Sequence, residues 1–499
     1  MPSTNALTEG QTDFPSSQPV YLTLPPELLC EIFSYICDRT EPLDLIPSKE
    51  YIIPGPYFLG RICRHWRDFV FSSPSLWTYM HLVQPALLSK RKSQVLVALL
   101  AEYLGHSEGL PLTIRVGIRH TGLPYTGGQI QRFYQPIFEL LAAEHHRWKT
   151  IEMFDSTYFV TEYMNPSLPQ FPLLHSASFG TPVRPSVATV DVTLLQNAPS
   201  LHNLSLTGMT LPDGAPVYHH LTYLTASKLF CEDVLALLRR TPNLQSCVLI
   251  DMRGSASARA TPRTLRPITL MHLESLTARN CAALDELLEG IQSVSSLRDF
   301  RCTASAGHHP SLTSLKHLLQ RSRCKLETLQ IGMGLHLLQE GVAKHIEPLL
   351  QLSETLTRLM LRFGMDEKFP ETVARILDPV RMHPPSHTSE TDEAEEKSPV
   401  VCPNLKHLEM EFYGGSVQPV LRMLKNRWSL GIAPQPNSGP VQYGGRDFVR
   451  ISSARFPEWC RRQVMLQLTE QIEEGLAIDF VPETSEERMI KLLFDSGFQ

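Results

Sequence analysis

The sequence predicts an α/β fold in two parts: a small N-terminal helical bundle, then an irregular solenoid of strand–helix repeats. Three observations predict it. Residues 22–82 hold two short runs with apolar side chains at helical spacing. A frame of the form LxxLxL then recurs along the middle of the chain. Between the frames lie amphipathic, helix-like runs. Strand, turn, helix, turn at a steady period marks stacked units that bury their leucines only against their neighbours.

The first run begins at Pro25 and Pro26, which suit a helix start because a missing N–H costs nothing there. Glu27 follows in the first turn, near the positive end of the helix dipole. Leu29, Ile32, Phe33 and Ile36 then mark one apolar helix face. Leu59, Ile62, Cys63, Trp66 and Val70 repeat that spacing in a second helix, with Arg61, Arg64, Arg67 and Asp68 on its other side. Pro74 breaks the chain, and Leu76 and Trp77 give a short apolar anchor. A bundle this short leaves part of its apolar surface uncovered.

The ordered set LPxELL, IF, CRxW and PSLW across this stretch resembles an F-box, the module that joins a substrate receptor to a cullin-based ubiquitin ligase. The resemblance implies docking on a Skp-type adaptor, and through it on a cullin. It assigns much of that contact to Leu24, Pro25, Leu28 and Ile32, with Cys63, Trp66 and Trp77 shaping the rest. One departure is a long insert, residues 38–57, carrying Pro42, Pro47, Pro54 and Pro56, which reads as a loop.

The LxxLxL frame appears as Leu201-Leu204-Leu206, Leu221-Leu224-Ala226, Leu244-Cys247-Leu249 and Leu273-Leu276-Ala278. It continues as Leu297-Phe300-Cys302, Leu326-Leu329-Ile331, Leu356-Leu359-Leu361 and Leu405-Leu408-Met410. Weaker copies stand at Trp148-Ile151-Met153 and Leu174-Ala177-Phe179. The mean period is about 26 residues, within the range of leucine-rich repeats. Helix-like runs at 232–240, 283–292 and 312–321 fill the intervals.

The array resembles the leucine-rich-repeat half of F-box receptors, with two departures. Repeat lengths are uneven, and the Asn/Cys position that closes each strand turn is mostly lost. Cys281 fits it, but Met209, Met252, Ser305, Gly334, Gly364 and Tyr413 stand at the equivalent places. The expected organisation is therefore a disordered N-terminus (1–20), an F-box-like bundle (21–82), and a helical link with an atypical first repeat (83–147). A leucine-rich-repeat solenoid (148–433) follows, interrupted by a Pro-, Ser- and acid-rich disordered segment (383–400). A linker and C-terminal cap (434–499) complete the chain, with helices near 457–474 and 486–494 around a strand at 477–481.

Composition sets the outer limits. The chain has 499 residues, 42% hydrophobic and 19% charged, which is globular in character. A formal charge of −5 gives no bulk attraction to nucleic acid. Residues 1–20 lack the apolar run and basic start of a secretory signal, and no apolar stretch has the length of a membrane span. The ten cysteines form no CxxC, so reduced thiols in cytosol or nucleus are expected. There is no GxxxxGK[ST], HExxH or GxSxG, so neither catalysis nor a cofactor is expected. The adjacent pairs His145-His146, His219-His220 and His308-His309 lack acidic or Cys partners at metal-ligand spacing.

In an LxxLxL strand the leucines point inward and the intervening residues face outward. Those positions begin mostly uncharged, at His202, Asn203, Ser205, Thr222, Tyr223 and Thr225. They then gain Arg279, Arg298, Arg301, Arg358 and Arg362, mixed with Glu274, Asp299 and Glu327. Arginine pairs bidentately with carboxylate and phosphate. A stripe of these arginines, with Arg279 and Arg301 side by side, would hold a protein substrate with an acidic or phosphorylated segment. The sequence thus points to a non-catalytic substrate receptor of a Skp–cullin–F-box ligase, or to a scaffold of the same build without the adaptor.

Overall fold

The computed structural model describes residues 24–39, 55–85, 90–119, 127–154, 171–180, 188–189, 195, 198–210, 216–254, 267–304, 312–333, 342–362, 368–379, 401–412, 416–430 and 450–481. The chain divides into two compact units, Met1–Ile151 and Glu152–Gln499. The expected segments at 1–20, 383–400, 434–446 and 486–494 fall outside the described residues.

The dominant element is one 14-stranded sheet whose strands follow chain order from Tyr79–Pro85 to Ala477–Val481. Neighbouring strands run parallel, with α-helices in the connections. This α/β architecture corrects the expectation of an N-terminal helical F-box-like bundle followed by a leucine-rich-repeat solenoid. The sheet already includes Tyr79–Pro85, which begins inside the stretch assigned to the bundle, and Leu112–Arg119, a strand that the alternation of Leu112, Ile114, Val116 and Ile118 itself predicts. It runs on through Ser453–Pro457 and Ala477–Val481, where a cap was expected. The reason lies in how little a parallel strand needs. Met80 and Leu82 form no LxxLxL frame, yet they alternate inward and pair with Ile114 and Val116.

In the first unit, helix Pro26–Arg39 buries Leu29, Phe33 and Cys37. Phe33 meets Trp66 at 4.6 Å and Phe69 at 5.7 Å between ring centroids. The second predicted helix is two: Gly55–Leu59 and Arg64–Phe71, separated by a turn. The break comes from Cys63, which is extended and caps the later helix by accepting the Trp66 N–H at its sulfur, 3.4 Å away. Trp77 fills the centre of this unit, against Tyr57 (5.0 Å), Tyr103 (5.0 Å) and His106 (4.5 Å). Its indole N–H donates to the Val70 carbonyl at 2.9 Å. Buried Arg147 binds the Leu110 carbonyl, Ser107 Oγ and Glu144, so its charge is matched inside the fold.

In the second unit the frame residues form continuous rows. One row runs Leu204, Leu224, Cys247, Leu276, Phe300, Leu329, Leu359, Leu408, each beside the next on neighbouring strands. All are buried, as are the first and last residues of each frame. The predicted helical runs appear as Cys231–Arg239, Leu284–Gly290 and Leu312–Ser322. Near the C-terminus the expected single helix is a 3₁₀ turn, Glu458–Cys460, and two short helices, Arg461–Gln467 and Thr469–Glu473.

The strand ends turn by a device the missing Asn/Cys pattern concealed. Gly208, Lys228, Asp251 and Asn280 each follow a strand with positive φ, between 52° and 64°. Each donates its N–H to a carbonyl at the end of the next strand, as Lys228 does to Ile250 at 2.8 Å and Asn280 to Thr303 at 2.7 Å. Met209, Met252 and Cys281 follow these residues and are buried. The apolar side chain thus holds a turn whose hydrogen bond is made by the backbone.

The seven buried cysteines are core residues, and burial pushes the thiols of Cys231, Cys247, Cys302, Cys402 and Cys460 up to about 12. The nucleophile is the thiolate, so these groups are protonated and shielded at pH 8. An aromatic disulfide reagent should therefore react at pH 8 with no more than the three partly exposed thiols, Cys30, Cys63 and Cys324. The others should appear only after denaturation. Fast labelling of Cys247 or Cys302, read by peptide mass, would refute this packing.

Candidate functional site

Helix Pro26–Arg39 has two apolar faces. One is buried, as above. The other presents Leu28 (48% exposed), Ile32 (47%) and Tyr35 (57%), at the i, i+4, i+7 positions of one stripe. Pro25 is exposed and Leu24 half-buried just before the helix. Four residues assigned to the adaptor contact thus gather at one helix end and along one face. Cys63 and Trp66 are half-buried. Trp77 is fully buried, which corrects its place among contact residues: it supports this unit from within. Phe58 and Ile62 are also about half-exposed. Periodicity hid Ile62, because it placed that residue on the inner face of a helix that in fact starts at Arg64.

In the second unit, residues alternating with the frame form an open sheet face. Row by row it reads Ser275, Asp299, Thr328, Arg358, His407, Ser453, then Thr277, Arg301, Gln330, Met360, Glu409, Arg455. The earlier strands contribute Asn203, Ser205, Tyr223, Thr225, Ser246 and Val248, all uncharged.

Four of the five predicted arginines lie at exposed positions, and Arg362 is half-buried. They do not make the expected stripe. Arg279 lies beside Thr303, and Arg301 beside Thr277, so these two arginines are one side-chain step apart along the strands. Most are also matched by carboxylates. Arg301 chelates Asp299 on its own strand, with contacts down to 2.7 Å. Arg298 reaches Glu327 at 3.4 Å, and Arg362 bridges Glu409 (2.9 Å) and Glu411 (3.2 Å). Arg455 then approaches Glu409 (3.8 Å) and Asp479 (3.3 Å). Over the last four strands the face thus alternates in sign, from Arg362 to Glu409 and Glu411, then Arg455, then Asp479, the arrangement that favours cross-strand pairing. Arg279 and Arg358 have no ion-pair partner among the described residues.

At the leading edge of the strands, His202, His219, His220 and His272 line a cleft of about 310 Å³ with Thr222, Asn243 and Gln245. His175 stacks on His202 at 5.4 Å. The sequence showed only adjacent pairs; parallel register brings residues from successive units together. No group of three or more His, Cys, Asp or Glu among the described residues is arranged to hold a metal ion. No helix among the described residues is long and apolar enough to cross a membrane. No protein-family model matches the chain, and no curated protein matches it either.

Proposed function

We propose that this chain is a substrate-receptor subunit of a Skp–cullin–F-box ubiquitin ligase. The stripe Leu28, Ile32 and Tyr35, with Pro25 and Leu24, docks the Skp-type adaptor, and the open sheet face holds a protein substrate. The observation that carries this reading is the doubly apolar helix Pro26–Arg39. One face closes the local core, and the other leaves three large apolar side chains in water beside an F-box-like sequence pattern. Such a contiguous apolar stripe marks a protein contact. The chain then acts by proximity, raising the effective concentration of a substrate lysine near the ubiquitin-charged enzyme, with no nucleophile of its own.

The test is the double variant Leu28→Asp, Ile32→Asp. Fully burying an aliphatic side chain yields about 1.5–3 kcal/mol, so covering the exposed half of two of them is worth about 1.5–3 kcal/mol in all. Placing two carboxylates in the contact costs more again. Adaptor recovery in a pull-down should fall at least about 100-fold. Circular dichroism should not change, because both side chains are already in water. If the unaltered protein captures no Skp-type adaptor at micromolar concentration, the ligase reading fails and a scaffold without the adaptor replaces it.

A further inference from the structure

At the far end of the open face, strands Arg358–Arg362, His407–Glu411, Ser453–Pro457 and Ala477–Val481 surround a cavity of about 340 Å³. Register places Arg358, His407 and Ser453 in one row across its mouth. Met360, Glu409, Arg455 and Asp479 form the next row.

The two rows differ in charge balance. In the second, Arg455 sits between Glu409 and Asp479, and Glu409 also takes Arg362. In the first, Arg358 is exposed and has no ion-pair partner among the described residues. Its cross-strand neighbours are Thr328 and His407, neither of which is an anion. His407 Nδ1 and Ser453 Oγ lie 2.7 Å apart and share a hydrogen bond. Burial first, then Arg358 and Lys406, hold the His407 imidazole below its ordinary range. At neutral pH the row is therefore a guanidinium fork with no carboxylate partner among the described residues, beside a neutral imidazole and a hydroxyl. Arg298, Arg301, Arg362 and Arg455 all have carboxylates; Arg358 alone among these lines a cavity with its charge unmatched.

We propose that Arg358, Ser453 and His407 form an oxyanion subsite for a carboxylate or phosphate monoester carried on an extended peptide. Arg358 supplies the two-pronged contact that such groups take. The hydroxyl–imidazole pair, on the next two strands, donates the proton not shared between its own members. The rest of the cavity, over Met360 and Ala454, takes the stem of the bound side chain. Glu409 and Asp479 are held by Arg455, which keeps their charge from the subsite. This names the chemistry of the substrate segment and rests on the open face being the substrate surface. The test below uses purified chain and small probes, so it stands or falls apart from adaptor capture.

The experiment follows histidine ring resonances in protein labelled at histidine carbons, with His407→Asn to assign the signal. Inorganic phosphate and acetate are titrated against chloride at equal ionic strength. Two capped tripeptides, with central phosphoserine or aspartate, then separate the two sources of the anion. The His407 signal should shift saturably at millimolar probe, a binding energy of about 4 kcal/mol. Bound anion should also raise the imidazole pKa, since it offsets Arg358 and Lys406. The other charges facing this ring, Glu409, Arg455 and Asp479, are the same with and without probe. Arg358→Gln should weaken binding at least about tenfold, as loss of a charged hydrogen-bond donor does. The variant alters an exposed side chain, so its other histidine signals should be unchanged. Equal response to chloride, or an unaltered response in Arg358→Gln, would overturn the subsite. Binding of free phosphate but of neither peptide would overturn its assignment to a peptide segment.

Discussion

Arg427→Ala should destabilise the second unit by roughly 3–5 kcal/mol, measured by urea unfolding at pH 7. Arg427 lies in helix Gln418–Leu430 and is fully buried. It donates to three backbone carbonyls: Leu377 (2.7 Å), Val401 (2.6 Å) and Cys402 (3.1 Å). The neighbouring Asn426 donates to both oxygens of buried Asp378 at 3.0 Å, which keeps a carboxylate close. A buried charged pair can sometimes be exchanged for apolar residues at no cost, but only when both partners change. Here the acceptors are main chain and remain. Truncation leaves the Leu377 and Val401 carbonyls without this donor, each worth about 1–3 kcal/mol, less the relief of no longer burying a charge, while the Cys402 carbonyl keeps the Leu405 N–H. Arg427→Lys should recover little, since one ammonium lacks the planar spread of the guanidinium.

Burial pushes the Arg427 guanidinium down to about 10, well below its ordinary range. Between about 10 and the ordinary arginine range the unfolded chain binds more protons than the folded one, so this group makes stability rise with pH there. Below about 10 it is protonated in both states and contributes no slope. Urea midpoints that vary no differently with pH between 6 and 9 in protein and variant would agree with this. Loss of under about 1 kcal/mol in Arg427→Ala would mean that water reaches the Leu377 and Val401 carbonyls.

The second large effect is expected at Leu329. It is fully buried and lies between Phe300 and Leu359 in the inner row of the sheet. Leu329→Ala should cost about 2–5 kcal/mol, combining lost burial with the cavity left behind. Thr328 precedes it on the outer face, half-buried between Asp299 and Arg358. Thr328→Ala should stay within about 0.5 kcal/mol. Equal losses at the two positions in parallel urea titrations would show that the strand faces are assigned the wrong way round.

Local pattern carried much of this molecule. Period-two alternation in the frames marked inner and outer residues, because a strand has only two faces. Helical spacing found Pro26–Arg39 and the helices between strands for the same reason. It failed where a side chain closes on the backbone: Cys63 caps a helix start and so puts Ile62 in water. Composition also could not show how Lys228 turns the chain, since a lysine does not announce a positive φ.

What the sequence determined by itself is the set of residues that must leave water, and the apolar and charged residues left to face it. The tertiary structure decided which of these meet. One parallel sheet gathered strands from the supposed bundle, link and cap, because its ladder accepts any short alternating segment. Register between strands, which no single segment encodes, separated Arg279 from Arg301 and paired Arg362 with Glu409 and Glu411. It also set Arg358 beside His407, with no carboxylate partner among the described residues. A side chain's charge is a property of the sequence, but whether that charge is satisfied depends on neighbours tens of residues away, and only the fold brings them within reach.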